Sequence, residues 1–183
     1  MRVSPILILL LAGSLPALHA ADTPPASASD KPASEESVSR ELMSGRVRFL
    51  SDVLKQKKIK ASDEIAKQVV LVTPEGDVWP LLPDWRGRAF FQDERLRDRA
   101  VDLVVRRYPG LPYLQVLSVY TFDEKGVRIY TDYWCDICSI PMYELKDCEC
   151  CQGPTRLRFQ NLPLPDYIQE PEGKRESKAG AKE

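Results

Sequence analysis

The sequence predicts a mainly β fold, and three observations carry that expectation. Short runs rich in β-branched and aromatic residues recur along residues 45–134. Turn-forming clusters such as Pro74-Glu75-Gly76-Asp77 and Asp123-Glu124-Lys125-Gly126 separate them. All five cysteines crowd into residues 135–151, the pattern of a small stapled hairpin rather than of a conventional core.

Taken in order, residues 1–20 read as a secretory signal. Arg2 supplies the positive start, residues 6–12 the apolar run, and Ala20 the small residue before the cut. The apolar run is too short to span a hydrocarbon layer of about 30 Å. Ser14 stands where a lipoprotein signal would need cysteine. The expected product is exported, periplasmic or extracellular, with no membrane span in the mature chain. The sole histidine, His19, would leave with the signal, taking with it the one imidazole available for base catalysis or metal ligation. Residues 21–44, rich in Pro, Ala and Ser, read as a linker that buries too little apolar surface to offset ordering.

Residues 45–50 alternate, with Val47 and Phe49 opposite Arg46 and Arg48, as a half-buried strand does. Residues 51–67 read as a polar connection with a helical turn after Ser62. Residues 68–73 and 78–82 form a hairpin about the Pro74–Asp77 turn, and Asp93 opens a short helical turn. Residues 100–107, 113–122 and 127–134 complete a set of five strands, joined by Tyr108-Pro109-Gly110-Leu111-Pro112 and the Asp123–Gly126 turn. An open sheet of this size leaves edges that associate, and closure removes them. Five strands with a helical insert before the fourth therefore suggest a small antiparallel OB-like barrel over residues 45–134.

The last strand delivers the chain into C-D-I-C, nine residues, then C-E-C-C. Two C-x2-C turns aim two sulfurs each at one point, which is what a tetrahedral thiolate site needs. At roughly 3.3 Å per residue, the nine-residue spacer allows a short out-and-back hairpin. Cys135, Cys138, Cys148 and Cys151 are the expected metal ligands, with Cys150 a substitute for Cys151. The expected ion is structural zinc in a zinc-ribbon-like module over residues 135–160, followed by a disordered tail over 161–183. An oxidising compartment favours disulfides, but five thiols cannot all pair within one chain.

Residues 45–159 resemble a group of uncharacterised exported bacterial proteins. The resemblance rests on Gly45-Arg46-Val47, Asp93-Glu94-Arg95-Leu96, the Y-W-C-D-I-C of residues 133–138 and the closing C-E-C-C-Q-G-P of residues 148–154. It implies a shared fold, a small OB-like barrel followed by a cysteine tail, and brings no activity with it.

The residues suggest other chemistries as well. Trp134-Cys135-Asp136-Ile137-Cys138 is similar to the W-C-x-x-C of thiol-disulfide enzymes, but Pro141 opposes the helix that would activate the first thiol. Met142 beside the thiols would suit a copper carrier. Arg106 and Arg107 with Trp79 and Trp85 could line a groove for an oligosaccharide or nucleic acid. Export and a net charge of −1 argue against nucleic acid. Asp132, Asp136, Glu144 and Asp147 could supply a carboxylate pair for hydrolysis, with surface solvation the commoner role. No catalytic constellation emerges, and the expectation is a non-enzymatic binding or scaffold protein for an unknown protein or small ligand.

Overall fold

A computed structural model describes residues 38–170. Residues 1–20, expected as a signal, most of the residues expected as a linker, and residues 171–183 lie outside them. Eight strands form one antiparallel sheet: β1 (Ser39–Phe49), β2 (Val69–Val72), β3 (Val78–Pro80), β4 (Ala100–Arg107), β5 (Leu114–Phe122), β6 (Arg128–Cys135), β7 (Ile140–Met142) and β8 (Arg156–Gln160). Their order is β3-β2-β1-β4-β5-β6-β7, with β8 on β6. Helices are few and short: α1 (Leu50–Gln56), α2 (Arg88–Gln92) and a 3-10 turn at Glu94–Leu96. The mainly β expectation holds.

β1 is long because it serves two partners. Its first part pairs with β4, from Ser39↔Arg107 to Arg46↔Ala100, and its last part with β2, from Arg46↔Val72 to Phe49↔Val69. Gly45 sits at the changeover, where an added Cβ would lie 2.3 Å from the Val72 carbonyl oxygen. Only a glycine lets the two backbones approach so closely. One residue past β3, Leu81 makes a parallel bridge to Leu114 at the start of β5. The β1–β2–β3 meander thereby meets the β4–β5 hairpin.

The main core lies inside this curl. Val47, Val69, Leu71, Leu81, Val101, Leu103, Val105, Leu114 and Val116 fill it from alternate strand positions, and Phe90 and Leu96 cover it from α2 and the 3-10 turn. Asp93 caps that turn, its carboxylate accepting from the Arg95 amide at 2.9 Å. The same carboxylate is 3% exposed, is gripped by the Arg95 guanidinium, and accepts from Tyr133 Oη of β6 at 2.7 Å.

Three expectations are corrected. The strand expected from Gly45 begins at Ser39, so the linker boundary at residue 44 is too late: residues 39–44 are polar, but β4 supplies their ladder. The connection at 51–67 opens with α1, and the stretch after Ser62 is a hydrogen-bonded turn instead of a helical one. The disordered tail does not begin at residue 161. Residues 161–170 lie on the outer sheet face, where Ile168 packs with Val104 and Tyr120, and Tyr120 Oη donates to the Pro163 carbonyl at 2.9 Å. Glu170 pairs with Arg128, which also holds the buried Asp102 at 2.8 Å.

Gly45→Ala should cost about 1–3 kcal/mol, because backbone and not a flexible side chain must move. Urea denaturation checks it, and an unchanged midpoint contradicts the close crossing. Asp93 gives a second expectation. Burial raises its carboxyl pKa, but the Arg95 side chain and the Tyr133 hydroxyl outweigh burial and hold it below its ordinary 3.8. The stability it contributes is present above that value and is lost as pH falls through the lower folded one. Asp93→Asn should flatten the acid limb of stability below about pH 4; equal acid slopes in both proteins would refute the linkage.

Candidate metal centre

β6 ends at Cys135, and the chain turns at once into β7, with Ile140 opposite Cys135. The first C-x2-C is therefore the turn of the β6–β7 hairpin. This corrects the expectation that residues 139–147 form a hairpin of their own. On the other edge of β6, β8 pairs from Tyr130↔Gln160 to Trp134↔Arg156. The second C-x2-C sits in the loop between β7 and β8, and the two edges bring it over the first.

The two turns have one shape. Ser139 donates its amide to the Cys135 carbonyl at 2.9 Å and has φ 56°; Gln152 donates to the Cys148 carbonyl at 2.9 Å and has φ 57°. Both are left-handed residues immediately after the second cysteine of a pair. In each turn, amides point at the first sulfur: Cys138 N lies 3.4 Å from Cys135 Sγ, and the amides of Cys150 and Cys151 donate to Cys148 Sγ. Such donors stabilise a thiolate. Gly153 closes the arrangement, since a Cβ there would meet Ile137 Cδ1 at 2.8 Å and Cys151 Sγ at 3.3 Å.

The sulfurs of Cys135, Cys138, Cys148 and Cys151 all lie within 4.8 Å of one another, the first and last at 3.5 Å. A tetrahedron of sulfurs each about 2.3 Å from a central ion has edges of about 3.8 Å. The four are thus close enough to share one metal ion. Cys135 and Cys148 are buried, Cys138 and Cys151 half-buried, and Cys150 is exposed and outside the cluster.

The electrostatics agree with a site built for a cation. The amides of Cys151 and Cys150, against the effect of burial, pull the Cys148 thiol down to about 7. The neighbouring thiols of Cys151 and Cys150, and then burial, push Cys138 up. At Cys135 the Cys138 amide pulls down, but burial and the adjoining thiols prevail and raise it. Four sulfurs this close cannot all ionise unaided, because each negative charge opposes the next. A divalent cation removes that obstacle.

The remaining candidates are dispersed. The Arg107 guanidinium stacks 4.6 Å over Trp79, and both border a groove with Tyr108, Pro109 and Leu111. Arg106, one position away on β4, faces the opposite side and donates to Gln115 Oε1 at 3.3 Å. Trp85 is 60% exposed and stands edge-on to Tyr143, 5.1 Å away, in the loop that carries the second cysteine pair. The four groove candidates therefore do not share one surface. Met142 is buried in the main core. Of the acidic neighbours, Asp132 is forked by Arg158 at 2.8 and 2.5 Å, Asp136 by Arg156 at 2.8 and 2.9 Å, and Glu144 is held by Arg88 and Lys146. These carboxylates are spent on structure. Arg158, also 3.7 Å over the Trp134 ring, was not anticipated. The alternation Arg156-Leu157-Arg158-Phe159 was the signal for its strand.

No family model, curated protein or solved structure matches the chain.

Brief labelling of the native protein with a thiol reagent should modify Cys150 first and Cys135 and Cys148 last, as peptide mapping would show. Equal labelling of all five would contradict the burial order.

Proposed function

We propose that this chain is an exported, non-enzymatic binding or scaffold module whose C-terminal part is organised by one structural zinc ion. Cys135, Cys138, Cys148 and Cys151 would hold it as thiolates, and the ion would supply folding energy instead of a reaction. The observation that carries the reading is the convergence of four sulfurs, two from each of two like-shaped turns, within 4.8 Å. Zinc suits the donor set: an all-thiolate tetrahedron is a closed structural site with no position left for substrate. Among the described residues, Asp132, Asp136 and Glu144 beside the cysteines bear cationic partners, while Asp147 is exposed, and no carboxylate pair is assembled there, which favours a binding role over catalysis. Export rests on the Arg2, apolar-run and Ala20 pattern at the N-terminus.

The path β1-β2-β3, then Leu81 beside Leu114 of β5, then β4 back to β1, is the path an OB-type barrel requires. It supports that architecture for residues 45–134. The stacked Trp79 and Arg107 make the adjoining groove its place for a small ligand.

Native mass spectrometry of the purified protein should find one zinc per chain. Removing the zinc with a chelator should cost at least about 3 kcal/mol of stability, the stabilisation conferred by an ion at a hundred times its dissociation constant. A zinc-free chain holding two disulfides would overturn the proposal.

A further inference from the structure

The run Lys55-Gln56-Lys57-Lys58-Ile59-Lys60 takes no part in the metal centre or in the groove beside Trp79. It begins in the last turn of α1 and continues past the end of that helix, and all six residues are exposed. Four positive charges stand here with no acidic residue between Asp52 and Asp63. In other parts of the fold, cations are matched: Asp93, Asp132 and Asp136 each hold an arginine, and Lys146 reaches both Glu144 and Glu149. Among the described residues, no ion pair engages Lys55, Lys57, Lys58 or Lys60.

Helix polarity accounts for part of this, since cations near a helix C-terminus are favourable there. That suits Lys55 and Lys57. It does not account for the next two residues. α1 ends in a Schellman motif: Lys58 donates its amide to the Lys55 carbonyl at 3.0 Å, and Ile59 donates to the Leu54 carbonyl at 2.9 Å. The left-handed position of that motif favours glycine, yet Lys58 occupies it with φ 58°. A charged side chain is thus kept where the backbone prefers none. Ile59 follows it, 52% exposed and held in place by the second bond of the motif.

Ser51, Lys55, Lys58, Ile59, Lys60 and Ala61 line one open hollow of about 450 Å³, a size within the roughly 300–1,000 Å³ of small-molecule sites. Three lysines around an exposed isoleucine are complementary to a surface that is anionic outside and apolar just beneath. Lysine suits such a surface, being a compact charge on a long apolar stem. Residues 50–68 contain no arginine and no aromatic residue. The planar fork that reads phosphates by geometry and the rings that stack on bases are both missing, which argues against nucleic acid.

We infer that residues 55–60 form a peripheral docking site for an anionic phospholipid surface. The lysines lie among the headgroups and supply an attraction that fades within a screening length. Ile59 enters the boundary between headgroups and acyl chains. The net charge of the chain is −1, so the attraction is local and turns the end of α1 toward the bilayer. A single patch of this kind gives reversible binding and not anchorage. None of this involves the cysteines.

The test is co-sedimentation of residues 21–183 with vesicles of phosphatidylglycerol and phosphatidylcholine in equal parts. Residues 1–20 are omitted because the apolar run at 6–12 would itself bind lipid. At about 0.01 M salt, where the screening length is about 30 Å, the parent should sediment with these vesicles and not with pure phosphatidylcholine. At about 1 M, where that length is about 3 Å, it should stay in solution. Lys58→Gln/Lys60→Gln should bind about twenty-five-fold more weakly, since each lysine near an anionic surface contributes about 1 kcal/mol, or about five-fold. Lys57→Gln/Lys60→Gln, which leaves the left-handed position untouched, should behave alike. Lys125→Gln, which removes a charge in the Asp123–Gly126 turn, should change nothing. Equal binding by the parent and both double variants, or an equal loss in Lys125→Gln, overturns the inference. So does sedimentation with pure phosphatidylcholine, or tighter binding to a single-stranded DNA oligonucleotide than to the anionic vesicles. Each of these results leaves the zinc proposal standing.

Discussion

Residues 136–155 have almost nothing to fold around except sulfur. Between Asp136 and Thr155 only Met142, Glu144 and Cys148 are buried, and Ile137 and Leu145 point outward. Three side chains cannot offset the entropy of ordering twenty residues at about 1–2 kcal/mol each. The convergence of Cys135, Cys138, Cys148 and Cys151 is the constraint that lets this segment hold a shape. It fixes where β8 returns, and hence which edge of β6 is covered.

β6 is the element through which that constraint reaches the rest of the molecule. Its first residues pair with β5, its last with β7 on the same edge, and β8 lies along the opposite edge. Tyr133, two residues before Cys135, packs in the main core and donates to Asp93, which Arg95 holds in turn. A buried carboxylate is tolerable here because a fork and a hydroxyl satisfy it. The register of β6 is thus set from one end by core packing and this network, and the first cysteine is presented from a rigid strand, not a loose loop. The outer face has its own cover: residues 161–170, anchored at Tyr120 and Arg128.

What could be read beforehand follows the range of the interactions involved. The cysteine turns are local, so the C-x2-C spacing announced them, and the cluster contains the four expected sulfurs. The strands rich in β-branched residues, 100–107 among them, were legible for the same reason. Ser39–Ser44 has no such pattern and is a strand only because β4 runs beside it. α1 buries little beyond Val53, which left no stripe to detect. In the docked tail only Leu164 and Ile168 pack on the sheet, while Leu162 and Tyr167 are exposed, and the partners Tyr120 and Tyr130 lie far away in sequence. Trp79, Trp85, Arg106 and Arg107 look alike as candidates in a list of residues, yet strand alternation and a loop send them to different places.

The central claim is that four sulfurs and nothing else surround one zinc ion. X-ray absorption at the zinc edge of the purified, loaded protein measures this directly. The account predicts a first shell of four sulfurs at about 2.3 Å, without nitrogen or oxygen. A shell containing two or more light atoms near 2.0–2.1 Å, or no ordered zinc environment at all, would contradict it.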